Sequence, residues 1–287
     1  MWFIAIGSLA YFLYHVLGIE QVALPIAPVS IVGVAIAIFL GFRNSSAYDR
    51  WWEARKIWGG IVNTNRSWAM EVTSFVDAGL EQHELKDECR RLIYRQLAWN
   101  SALEMHLRNS MEVNALAEFL DDKELVELAN KRNIPSQLLN LQSKHLQRLY
   151  RKNVIEDFSR IELNSLLKEF YNLQGRAERI NNTVFPYYYN YFTRLFLWLF
   201  MAILPFALVD IMEYAIVPLS VAISFVFHIL DKSGAITEDP FMGRAADTPM
   251  KALCRTIEID LRQMLGEEDI PGPYPTQYTK YGAAYID

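Results

Sequence analysis

Five histidines, His15, His83, His106, His145 and His228, are scattered through the 287 residues, with no His-Glu-x-x-His run and no pair at metal-ligand spacing. The glycines form neither a phosphate-cradling P-loop nor a Gly-x-Gly-x-x-Gly turn. Cys89 and Cys254 make no Cys-x-x-Cys pair; nothing in their spacing favours a disulfide, and a reduced setting is the simpler expectation. His83-Glu84 reads as a solvated helix start. Asp121-Asp122 and Glu156-Asp157 precede apolar helical runs, where carboxylates offset the helix dipole. No nucleophile, base or metal-ligand set assembles from these groups, so the chain reads as a non-enzyme. The spacing with functional content is apolar instead. Val34, Ile38 and Phe42 fall at i, i+4 and i+8, and Gly33, Ala37 and Gly41 form a second such stripe on another face. Small residues let helices approach closely, and apolar side chains ringed around an axis form a constriction that gates by dewetting. Ordinary packing between membrane helices is the simpler explanation of both stripes from spacing alone.

The elements that carry these residues follow from where charge is missing. The chain is 52% hydrophobic and 21% charged, with 28 Lys and Arg against 33 Asp and Glu. That composition can bury a core, and a net charge of −5 argues against a nucleic-acid binder. No Lys or Arg occurs in 1–42, and none lies between Arg194 and Lys232. Residues 2–17 form a short apolar stretch without the basic lead and cleavage site of a signal peptide. A span beginning at the second residue points to a native segment ahead of it. A second charge-free stretch covers 22–42, with Pro25 and Pro28 suited to its first turn. Asp210 and Glu213 divide the later apolar block into about 187–209 and 214–230, and Pro205 and Pro218 are expected to kink these two helices. The result is four spans in two hairpins. The hairpin links 18–21 and 210–213 hold acids and no Lys or Arg, so the positive-inside rule places them outside and the remainder in the cytoplasm.

The block 45–183 reads as helices. Trp51, Ala54, Trp58, Ile61, Trp68, Val72 and Phe75 recur in steps of three and four, with Asn65 in the one polar slot. A second helix over about 85–107 lines up Leu85, Cys89, Leu92, Gln96, Trp99 and Leu103. Shorter helices are expected near 114–131, 136–152 and 155–179, with a break at Asn133-Ile-Pro135. The tail carries a helix near 248–265 and then an extended GEEDIPGPYPTQY run.

The run GFRNSSAYDRWWEARKIWG at 41–59 resembles the bestrophin-family signature, in which the pore-lining helix leads through Gly-Phe into Arg-Trp-Trp. SLLKEF at 165–170, NNTVFPYYY at 181–189 and EDPFMGRAADTP at 238–249 resemble further family segments, in family order over nearly the whole chain. The resemblance implies an all-α membrane protein: a homopentameric ion channel with four transmembrane helices per subunit, a helical cytosolic domain and one axial pore in the cell (inner) membrane. Its partners would be the lipid bilayer, its own copies and small inorganic ions, with no nucleic acid. The domains would be 1–43 for the first two spans, 44–183 for the cytosolic helices, 184–231 for the last two spans, and 232–287 for a cytosolic helix and tail. The family neck, three apolar residues spaced by four, maps to Val34, Ile38 and Phe42. The cytosolic aperture maps to Ile161, beside the plain alternative of an aliphatic in the helical core. Animal members bind calcium in an acidic run after the Pro-Phe-Gly motif. Here Asp247 is the only acid there and Arg244 adds a positive charge, so no cofactor and no comparable calcium clasp are expected. Apolar rings carry no charge preference. Chloride is the ion the family suggests, a sodium channel of the same architecture is the alternative, and the acidic cytosolic block mildly favours cations. A secondary transporter would need ionisable groups at mid-membrane, and the spans show only His15, Arg194 at an edge and His228. A membrane scaffold with a protein-binding helical block is the reading from another class.

Overall fold

The computed structural model describes residues 2–75, 82–183, 187–279, 282 and 284–285. Helix α1 covers Trp2–Tyr11 and continues as a π-helical turn, Phe12–Val16. Then come α2 (Ile26–Phe75), α3 (Gln82–Leu107), α4 (Asp122–Leu128), α5 (Ile134–Arg151), α6 (Asp157–Asn182), α7 (Tyr187–Leu208), α8 (Ile216–Thr237) and α9 (Met250–Met264). Two-residue strands, β1 (Gln277–Tyr278) and β2 (Ala284–Tyr285), pair antiparallel near the end of the chain. Apart from that ladder, the regular structure among the described residues is helical, and 239–249 and 265–276 are irregular. Contacts divide it into two units, Met1–Trp51 with Val184–Asp239, and Trp52–Thr183 with Pro240–Asp287.

The first unit holds α1, the start of α2, α7 and α8. Three helices, α2, α7 and α8, are long and apolar enough to cross a membrane. The expected first span is shorter: Trp2–Val16 is apolar but rises only about 22 Å at 1.5 Å per residue, below the hydrocarbon thickness. Gly7 brings α1 against α8, since a Cβ there would stand 3.1 Å from Ser220 Oγ. The Tyr14 hydroxyl donates to Asp210 at 2.8 Å, tying the end of the first stretch to the link between α7 and α8. Leu40, Leu197, Phe200, Met201, Leu204 and Ile216 form the centre of this unit's core. Pro25 and Pro28 flank the start of α2, and α7 runs through Pro205. Pro218 departs from expectation. It is the third residue of α8, where its missing N–H needs no partner, so it opens the helix instead of kinking it. Pro186, in the motif stretch 181–189, lies outside the described residues, as do Val184 and Phe185.

The second unit packs the rest of α2 with α3, α5, α6 and α9 around Trp58, Trp68, Trp99 and Phe170. Ala54, Trp58, Ile61, Trp68 and Val72 are buried as their spacing requires, and Asn65 in the same seam is buried too. Its amide exchanges hydrogen bonds with Asn100 of α3, donating at 3.0 Å and accepting at 2.9 Å. That reciprocal pair satisfies two side chains that an apolar seam would otherwise strand. Asn133 caps α5 by accepting from the Ser136 N–H at 3.0 Å, with Pro135 in the first turn, so the expected break is a helix start. Asp121 caps α4 in the same way, accepting from the Glu124 N–H at 2.9 Å. Both cysteines are free. Burial pushes the Cys89 thiol up to about 11 and the Cys254 thiol well above its usual value, so neither is a reactive thiolate.

A buried network joins α3 to α5. Arg95 donates to Gln142 Oε1 at 2.9 Å and stands 3.0 Å from His145 Nδ1, while His145 Nε2 lies 2.7 Å from Glu88. A guanidinium can only donate, so Nδ1 accepts and the imidazole is neutral, donating Nε2–H to Glu88. Burial first, and Arg95 second, depress His145 from 6.5 to about 4. Between those values the unfolded chain binds a proton that the folded chain refuses, so stability falls as pH drops through the window. Chemical denaturation at about pH 5.5 should therefore give lower stability than near pH 7, and His145→Gln should shrink that difference; an unchanged difference would show that His145 is not its source.

Candidate pore-lining surface

Helix α2 has two faces with different fates. Val29, Gly33, Ile36, Leu40, Arg43 and Ala47 are buried within the first unit. Gly33 is required there, because a Cβ would come within 2.9 Å of the Phe200 ring on α7. Nine residues on, about half a turn away on an ideal helix, Phe42 faces outward. Val34, Ile38 and Phe42 are 62%, 54% and 67% exposed. Ser45 and Asp49 continue this exposed strip, and Asp49 lies within about 20° of the Phe42 direction. The strip thus passes from three apolar side chains to a hydroxyl and a carboxylate.

The small-residue stripe is divided between the faces. Gly33 is used inside the chain, whereas Ala37 and Gly41 are exposed, and a Cβ at Gly41 would meet nothing within 4 Å. The cause is helical pitch: steps of four drift by about 40° each, so Gly41 has turned about 80° from the contact that holds Gly33. Ala37 and Gly41 occupy the flank between the anchored face and the Val34–Ile38–Phe42 strip.

What orients α2 is a charge cluster at the end of its apolar stretch. Arg43 is 2% exposed, and its Nη1 donates to Asp231 of α8 at 2.5 Å. Its Nη2 stands 3.4 Å from the Glu238 carboxylate, which also accepts from Asn190 of α7 at 3.2 Å. Arg50 donates to the Glu238 carbonyl at 3.0 Å, and Asn44 to the Leu230 carbonyl at 3.1 Å. Gly234 allows this approach, since a Cβ there would overlap Asn44 Oδ1 at 2.2 Å. Arg43 and Asp231 stand just past the expected spans 22–42 and 214–230, so the ion pair sits at their ends. Helices α2 and α8 extend past their apolar stretches, and the cost of burying Arg43 is offset by a partner 188 residues away. No local signal reports a pairing over that separation. The one sequence hint is an Arg and an Asp each ending a charge-free stretch.

Ile161 sits in the first turns of α6 in the second unit and is 58% exposed, beside Phe158. The core of α6 is formed instead by Leu163, Leu167, Phe170 and Leu173, which removes the core-aliphatic alternative. Asp247 is buried, and its Oδ2 accepts the Arg244 N–H at 3.0 Å, closing the turn that follows Phe241. Burial raises its pKa. Among the described residues no three His, Cys, Asp or Glu side chains converge as a metal site.

The family model described as bacterial/fungal bestrophin protein matches residues 1–263. A protein of Salmonella typhi named voltage-dependent anion channel-forming protein YneE is 36% identical over 258 residues, covering 90% of this chain and 82% of that protein. A Mesorhizobium japonicum protein, also named voltage-dependent anion channel-forming, is 30% identical over 242 residues, 84% of this chain and 76% of its own length. The crystal structure of a bacterial bestrophin homolog from Klebsiella pneumoniae superposes with a TM-score of 0.85 at 31% identity, over 93% of this chain and 97% of that one.

Removing one member of a buried ion pair strands the other and costs about 3–5 kcal/mol. Arg43→Ala and Asp231→Ala should each lower the thermal midpoint in detergent, followed by size-exclusion after heating. The double variant Arg43→Met with Asp231→Leu should lose less than either alone, because no unpaired charge remains.

Proposed function

The chain belongs to the bestrophin family of bacterial and fungal proteins, and from that membership we propose that it is a passive ion channel of the cell membrane, assembled as a homopentamer around one axis. The observation that carries the reading is the strip Val34, Ile38, Phe42. It is apolar and exposed, on a helix whose opposite face is locked by Phe200 and by the Arg43–Asp231 pair. Five copies facing an axis would form stacked apolar rings, which water leaves readily and through which hydrated ions pass only when the rings wet. Ala37 and Gly41, on the flank of the strip, suit the close approach of a neighbouring subunit's helix. In this assembly α1 with its π-turn, α2, α7 and α8 make four spans. The links near Glu20 and Asp210 lie outside, and the second unit lies in the cytoplasm. Ile161, exposed on α6, contributes a further apolar ring at the cytosolic aperture.

The conducted ion is an anion in this reading, and the support is the printed name of the Salmonella and Mesorhizobium relatives. One feature favours a cation instead: Asp49 continues the exposed strip beyond Phe42, and a ring of carboxylates attracts cations. Reversal potentials of the purified channel in a KCl gradient separate the two. The anion reading expects a shift toward the chloride equilibrium potential, increased by Asp49→Asn. A shift toward the potassium value that Asp49→Asn abolishes would replace it with the cation reading.

Ile38→Ala removes about three carbons from each of five side chains at the middle apolar ring, so open probability or conductance should rise in planar bilayers; an unchanged current would contradict a gating role for the neck. Calcium is not a ligand in this proposal. The segment after Phe241 offers one carboxylate, Asp247, already engaged by a backbone N–H, where calcium takes about six to eight oxygens. Calorimetry should show no micromolar calcium binding; a calcium heat abolished by Asp247→Ala would overturn that part.

A further inference from the structure

Within the second unit, α3, α4 and α5 enclose a cleft of about 870 Å³ in a chain whose net charge is −5. Besides the buried Arg95, five cations line it: Arg91 from α3, Lys123 from α4, and Lys144, Arg148 and Arg151 from α5. All five are exposed, and none is ion-paired to a carboxylate among the described residues. The acids of the cleft are otherwise committed. Asp121 caps α4, and Glu124 accepts from the buried Arg95 at 2.9 Å, which leaves Glu127. The helix dipole accounts for basic residues in the last turn of α5, but not for Arg91, and it opposes Lys123 in the first turn of α4. Like charges gathered without counter-charges repel one another, so this arrangement adds nothing to the stability of the empty fold. Burial is the main cause that depresses the pKa of Arg95, and Arg148 and Arg91 add to it in the same direction.

We propose that this cleft binds a soluble compound carrying clustered phosphates. Its volume lies in the range of small-molecule sites, about 300–1,000 Å³. Its polar lining suits oxyanions, because three arginines offer forked N–H pairs and two lysines add point charges. A single halide would satisfy only one or two of the five cations. A di- or triphosphate spans several, and Glu127 at the rim would reject a ligand whose negative charge extends past the cluster. The site is formed wholly by the second unit and stands independently of the channel reading.

The test is calorimetric titration of sodium tripolyphosphate into the full-length protein in nanodiscs of zwitterionic lipid. Saturable binding is expected, weakening as salt rises. Lys144→Glu with Arg148→Glu should weaken it by about tenfold or more. Lys123→Glu, on a separate helix, should also weaken it, and carries the test should the double variant not assemble. Lys251→Glu, on α9 outside the cleft, should leave the affinity unchanged. Absence of saturable binding, or equal affinity in all variants, would overturn the proposal. Competition by anionic lipid added to the nanodisc would overturn the soluble ligand in favour of a headgroup.

Discussion

A guanidinium and a carboxylate buried in an apolar unit have no solvent to fall back on, and the Arg43–Asp231 pair makes that constraint the reference point for α2. Arg43 follows Phe42 directly, so the bond that holds the guanidinium also sets the rotation of the residues before it. Gly33 against Phe200 anchors α2 about three turns earlier. With both contacts made, Val34, Ile38 and Phe42 have one direction available, and it is outward. Their exposure is thus a consequence of what α2 buries. Glu238 widens the anchor, because its carboxylate and carbonyl engage α7 through Asn190 and α2 through Arg43 and Arg50.

The second unit uses the same logic. Its aromatic core would pack in more than one register without polar markers, and Asn65–Asn100 and the Arg95–Gln142–His145 set supply them. Each is satisfied only in one alignment of α3 with its neighbours. The neutral state of His145 follows from that geometry, since Arg95 occupies its second nitrogen. The basic cleft on the outer side of this network is the exception, a set of charges the fold leaves unanswered.

Much of this was legible in residue spacing. Steps of three and four placed the seam of α2 and the buried stripe of α3, and the gaps in Lys and Arg located α2, α7 and α8. The carboxylate at Asp121 was readable as a helix start and caps α4, whereas Asn133, read as a break, caps α5. The misses share one cause. Periodicity reports which residues share a face and is silent on what that face meets. Gly33, Ala37 and Gly41 formed one stripe in sequence and are divided by a 40° drift per step that only a neighbour such as Phe200 makes visible. The Arg43–Asp231 pair went unread because each partner is remote in the chain, and Pro218 looked like a kink because the start of α8 was placed two residues early. Ile161 could be assigned to either face of α6 until the core of that helix was seen to run through Leu163 and Leu167.

The proposed channel requires that the outward strip of α2 border water-filled space along an axis. Cysteine accessibility tests it directly, because Cys89 and Cys254 are held as neutral thiols by burial and provide a quiet background. Ile38→Cys channels in a planar bilayer should lose current when a charged, membrane-impermeant thiol reagent is added, whereas Ile36→Cys, on the buried face, should not. Current through Ile38→Cys that the reagent leaves untouched, or block at Ile36→Cys alone, would contradict the account.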